Sequence, residues 1–73
     1  MTTLDLKGLQ CPLPVLRANK TLRGMSDGAE VCVLATDAAA PADFAAFCRS
    51  ARHTLVSCEE TEGVYAIVIR KGG

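Results

Sequence analysis

Gly8-Leu9-Gln10-Cys11-Pro12-Leu13-Pro14 marks the place where an extended segment gives way to a helix. Before it, Thr3-Leu4-Asp5-Leu6-Lys7 alternates polar and apolar residues, the period of a strand with one covered face, and Gly8 supplies the bend. After it, Val15, Ala18, Leu22 and Met25 recur at steps of three and four, the stripe of an amphipathic helix. A first helical turn accommodates proline because its missing N–H would have had no intrahelical partner, so Pro12 is expected at N1 and Pro14 at N3. Cys11 then falls at or beside the N-cap. A helix N-terminus carries partial positive charge, which predicts a modest shift of this thiol toward thiolate. The prolines remove two donors and leave the amides of Leu13 and Val15 to approach the sulfur, too few for a phosphate cradle. The expectation is a stiffly held, moderately nucleophilic thiol.

Further along, Ser26-Asp27-Gly28 reads as a turn and residues 29–35 as a largely buried strand. Strand, helix, strand in that order favours a parallel pair with a right-handed crossover. Residues 36–40 form a loop, and Pro41 opens a second helix to about Ala51 with Phe44, Phe47, Cys48 and Ala51 on one face. Two strands follow, at about 54–60 and 64–70, joined by a tight hairpin at Thr61-Glu62-Gly63. The last is apolar on both faces and belongs in the middle of the sheet. The order β-α-β-α-β-β predicts an α+β fold, a two-layer sandwich with a four-stranded mixed sheet and both helices on one face. Residues 1–73, without linker or repeat, are expected to form a single domain.

At 49% hydrophobic and 22% charged residues, the composition is that of a globular chain rather than a disordered one. Net charge is zero, so bulk electrostatics does not direct it to nucleic acid or a membrane. Yet between Lys7 and Met25 the charges are Lys7, Arg17, Lys20 and Arg23, with no acid among them. This basic side is read as a docking face for an acidic protein partner, or as a plain solvated face. No charged-then-apolar leader opens the chain and no apolar run reaches membrane length, which leads us to expect a cytoplasmic protein. Its small size makes a monomer the default. The four cysteines are widely spaced without a Cys-x-x-Cys pair, so reduced thiols are expected; with one histidine, no zinc or other cofactor is expected.

Cys11 is the candidate catalytic residue, because a cysteine between a glycine turn and two prolines has little reason to be core. Cys32 and Cys48 fall on apolar elements and read as small hydrophobes, while Cys58 could face either layer. Asp5, Gly8, Pro12 and Pro14 are taken as support for the loop that holds Cys11. Lys20 lies nine residues on, roughly 13 Å along a helix, too far to touch the thiol. Together with Arg17, which is nearer, and Arg23, it is assigned to partner docking. Asp37 and Asp43 suit capping or dipole roles, and His53, after a helix, suits a satisfied structural position. The Gly72-Gly73 ending resembles that of ubiquitin-like carriers bearing a terminal thiocarboxylate, but those open with a β-hairpin and this chain does not.

Taken together, Asp5, Gly8, Cys11, Pro12, Pro14, Val15, Lys20 and Leu22 resemble the Cys-Pro-x-Pro signature of the TusA/SirA family of small sulfur carriers. The likeness continues through Thr36-Asp37, Asp43, His53-Thr54-Leu55 and Ile69-Arg70-Lys71-Gly72-Gly73. Ala38, Arg52 and the Asn19-Lys20 pair depart from the family pattern, away from the thiol. The resemblance implies the sandwich shared with the C-terminal domain of a bacterial translation initiation factor. It further implies a sulfur carrier or sulfurtransferase that accepts sulfane sulfur as a persulfide on Cys11 and relays it to another protein thiol. The donor would be a cysteine desulfurase or rhodanese-like protein; the acceptors would serve transfer-RNA thiolation, molybdenum-cofactor supply or sulfur oxidation. The alternatives are a regulatory or RNA-binding module, and a redox thiol protein pairing Cys11 with Cys58 or Cys48. Direct nucleic-acid binding and membrane association are not expected.

Overall fold

The computed structural model describes residues 1–72. Its elements are β1 (Thr2–Asp5), α1 (Leu13–Arg23), β2 (Glu30–Ala35), α2 (Ala40–Ala51), β3 (Thr54–Thr61) and β4 (Val64–Arg70). The sheet order is β1-β2-β4-β3, with β1 parallel to β2 and the other neighbours antiparallel. The expected order, mixed sheet and central last strand are all present. Gly73, the last residue of the Gly72-Gly73 ending, lies outside the described residues.

The core follows from alternation. Val31, Val33 and Ala35 on β2 and Ile67 and Ile69 on β4 are buried, and Ala18, Leu22, Phe44 and Cys48 close over them from the two helices. Side chains of one parity thus meet the helices, while the other parity faces away. Cys32 belongs to the second set: it is half-buried opposite Val68, so β2 is not the largely buried strand its apolar run suggested. Cys48 is buried in the core. Cys58 pairs with Ile67 and so lies on the helix-covered side, but β3 is an edge strand and the residue is exposed. Ala51, expected on the apolar face of α2, is exposed where the helix stops at Arg52, which takes the left-handed conformation at φ 63°.

Both chain ends of the sheet are secured. The Leu6 N–H donates to the Leu34 carbonyl at 2.8 Å, extending the β1–β2 pairing past the strand's last assigned residue. At the other end, the Lys71 ammonium donates to the Met25 carbonyl at 2.6 Å, just beyond α1, and to the carbonyl of Arg23, the last helical residue, at 3.5 Å.

The β3–β4 hairpin turns on two residues, Glu62 at φ 50° and Gly63 at φ 80°. Two successive positive φ values are the requirement of a type I′ turn, which matches strand twist and prefers Asn-Gly. Glu62 is therefore the strained member. Denaturant unfolding should show Glu62→Asn more stable by about 0.5 kcal/mol and Gly63→Val less stable by about 1–2 kcal/mol.

Candidate functional site

Because β1 and β2 run parallel, the loops leaving their C-terminal ends lie side by side. The first carries Cys11 and the second carries Thr36 and Asp37, and side chains of the second hold the backbone of the first. Gly8, at φ 83°, turns its N–H to the Thr36 hydroxyl at 2.9 Å. The Cys11 N–H donates to one oxygen of Asp37, and the other oxygen accepts the Ala39 N–H at 3.0 Å. Asp5 serves its own loop, accepting the Lys7 N–H at 3.1 Å with the Lys7 ammonium 3.9 Å from its second oxygen. These contacts account for a fixed backbone at an exposed cysteine.

The helix begins one residue later than the prolines suggested. Pro12 is the N-cap, with non-helical angles of −98° and 13°, and Pro14 occupies N2 and is buried. The reason is visible in the hydrogen bonds: the Pro12 carbonyl accepts the first intrahelical bond, from the Leu16 N–H at 3.1 Å, as an N-cap carbonyl does. Cys11 stands outside the helix, and the Leu13 N–H donates to the Gln10 carbonyl at 2.8 Å rather than approaching the sulfur.

Cys11 forms a ridge between two hollows. One, of about 400 Å³, is walled by Gly8, Leu9, Gln10, Thr36 and Asp37. The other, of about 390 Å³, lies between α1 and α2 and is walled by Pro12, Val15, Asp43, Ala46, Phe47 and Ser50. Asp43 lines the same hollow as the thiol, and its carboxylate as hydrogen-bond acceptor, partial desolvation and the charges of Asp43 and Asp37 push the Cys11 pKa above the ordinary thiol value. The expected shift toward thiolate is thus reversed. With Cys11 ahead of the first turn and two amide donors replaced by proline, little helix-end charge opposes the carboxylates. Asp37 is held below the usual carboxyl range by the N–H groups of Ala39 and Cys11.

Arg17, Lys20 and Arg23 are exposed on α1, next to the exposed Leu13 and Leu16 at 44% and 56% accessibility. The ion pairs among the described residues are Lys7–Asp5 and Arg70–Glu30, so the three α1 cations face solvent unpaired. His53 accepts the Gly72 N–H on Nδ1 at 3.1 Å and packs against Phe47 with ring centroids 5.5 Å apart, a structural placement. Among the described residues no group of three or more His, Cys, Asp or Glu could hold a metal ion, and no helix is long and apolar enough to cross a membrane. Sequence reasoning missed that Thr36 and Asp37 anchor the Cys11 loop and that Asp43 shares a hollow with the sulfur. The parallel pairing already implied by strand, helix, strand was the available signal for the anchors.

A two-layer sandwich that pins an exposed cysteine between two strand-end loops, just ahead of a helix, defines a small thiol-presenting protein. Residues 2–71 match the family model described as sulfurtransferase TusA, and the chain belongs to that family. It is 52% identical over 68 residues to a protein of Neisseria meningitidis serogroup A named as a candidate sulfur carrier, covering 93% of this chain and 92% of the relative. It is 44% identical to the sulfur carrier protein TusA of Allochromatium vinosum over 68 residues, covering 93% and 90%. Among solved structures, the crystal structure of the SirA-like protein from Desulfitobacterium hafniense superposes with a TM-score of 0.86 at 28% identity, over 100% of both chains.

Asp37→Ala should release the Cys11 amide, seen as faster hydrogen exchange at Cys11 with exchange at Ile67 little changed. The sign of its pH effect is also fixed. A carboxyl lowered in the folded state stabilises above its unfolded pKa of about 3.9 and loses that contribution as pH falls through the folded value. Acid titration of stability should therefore be shallower for Asp37→Ala than for the natural chain in that window.

Proposed function

We propose that Cys11 accepts a sulfane sulfur as a persulfide and relays it to a thiol of a second protein. The observation that carries this reading is an exposed sulfur on a backbone fixed by Asp37 and Thr36, with open space on both sides. In uptake, the Cys11 sulfur attacks the terminal sulfur of a donor's Cys–S–SH. A new S–S bond forms, the donor's S–S bond breaks, and the donor sulfur leaves with the electron pair. The proton lost by Cys11 ends on that departing thiolate. Delivery repeats the step with Cys11 as the leaving group, so each transfer exchanges one S–S bond for another and needs no external oxidant or cofactor.

Asp5, Gly8, Pro12 and Pro14 support the loop, and Arg17, Lys20 and Arg23, with Leu13 and Leu16 beside them, form the face that meets partners. A cysteine desulfurase or rhodanese-like donor and an acceptor protein thiol suit this chemistry, with transfer-RNA thiolation, molybdenum-cofactor supply and sulfur oxidation as the pathways such acceptors serve. A redox role through Cys48 is disfavoured by that residue's burial in the core.

Incubation with a cysteine desulfurase and cysteine, followed by intact-mass measurement, should show the natural chain gaining the mass of single sulfur atoms and Cys11→Ser gaining none. Equal loading of Cys11→Ser would overturn the assignment. Because Cys11 is exposed, Cys11→Ser should move the thermal midpoint by no more than about 3 °C. A larger drop would mean that the sulfur is part of the packing.

A further inference from the structure

Carboxylates face Cys11 from two separate elements: Asp37 from the loop after β2, and Asp43 from the first turn of α2. The remaining walls of the hollow between α1 and α2, Pro12, Val15, Ala46, Phe47 and Ser50, carry no charge. In the opposite hollow Asp37 is the only charged residue. Among the described residues no cation lines either space. The side chain of Asp43 has no ion pair among the described residues, and it walls the same hollow as Cys11. The cations of α1 lie further along the helix, with Lys20 roughly 10 Å from its first residue. A chain of zero net charge thus sets negative charge around its reactive atom and positive charge on the flank.

We propose that Asp43, seconded by Asp37, makes Cys11 selective for sulfur donors that bring a cationic group to the point of transfer, seated in the hollow between α1 and α2. This rests on the reading of Cys11 as the sulfur-bearing residue. Uptake requires the sulfur to lose its proton, which the two neighbouring carboxylates oppose. A lysine or arginine of the donor that pairs with Asp43 removes the opposing charge. The Cys11 sulfur then attacks the donor's terminal sulfur, and the displaced proton passes to the departing donor thiolate. Small anionic disulfides and persulfides meet repulsion instead, and the flanking cations of α1 engage an acidic margin around the donor's cationic centre.

The test uses the full chain and three small disulfides: cystamine, a dication; bis(2-hydroxyethyl) disulfide, neutral; and 3,3′-dithiodipropionate, a dianion. Rates of mixed-disulfide formation at Cys11, located by peptide mass, are divided by those of a neutral model thiol to remove intrinsic reactivity. The normalised preference for cystamine over the dianion should be about tenfold at low salt, fall to about threefold in Asp43→Asn, and approach unity at high salt. The neutral disulfide should react several-fold faster with Asp43→Asn near neutral pH, since the carboxylate no longer opposes thiolate formation. Asp43→Ser, checked by circular dichroism, repeats the measurement should the asparagine variant fold poorly. An unchanged preference, or no gain with the neutral disulfide, would overturn the proposal. Such failure leaves sulfur loading of Cys11 untouched, whereas equal loading of Cys11→Ser would sink the carrier assignment and leave the charge preference standing.

Discussion

The hydrogen bond from the Cys11 N–H to the Asp37 carboxylate joins two loops that are 26 residues apart in the chain. Each loop alone would be an exposed, glycine-containing or alanine-rich connection with little reason to hold one shape. The tie exists because β1 and β2 are parallel neighbours, which brings both strand ends to the same edge of the sandwich. That pairing in turn requires α1 as the crossover, and α1 is fixed by Ala18 and Leu22 buried over the sheet. Core packing, strand order and the position of one sulfur are therefore linked through a single carboxylate. Asp37 also accepts the Ala39 N–H just ahead of α2, so the same residue places the helix from which Asp43 projects.

Much of this was legible in the residues. Alternation in 3–7 and the three-and-four spacing after Pro14 specify strand and helix, and the apolar run 64–70 identifies the strand that has neighbours on both sides. The hairpin is legible from Glu62-Gly63 because glycine supplies one of its positive φ values. What escaped has one physical origin: it depends on distance between elements rather than on pattern within one. Asp43 reads as a first-turn helix acid, which it is, and only the packing of α2 beside the Cys11 loop places it on the same hollow as the thiol. Cys32 reads as core because its neighbours are apolar, while the helices cover one side of the sheet and leave its side half-open. The two prolines fixed the helix start to within one residue, but Pro12 caps the helix from outside rather than opening it.

The reversal of the thiol's expected acidity bears on what a carrier must do. A more basic thiol spends less time as thiolate, yet each thiolate is the stronger nucleophile, and the two effects partly cancel because nucleophilicity follows pKa with a slope of about 0.4–0.5. No such cancellation operates on delivery, where Cys11 is the leaving group and a higher pKa slows its departure. If Cys11 bears the sulfur as proposed, a site built in this way gives up part of its rate in accepting sulfur and gains resistance to stray thiols that would remove it. Under the proposed relay, a partner cation that neutralises Asp43 would lower that barrier on docking, so one carboxylate would both retain the cargo and make its release depend on contact.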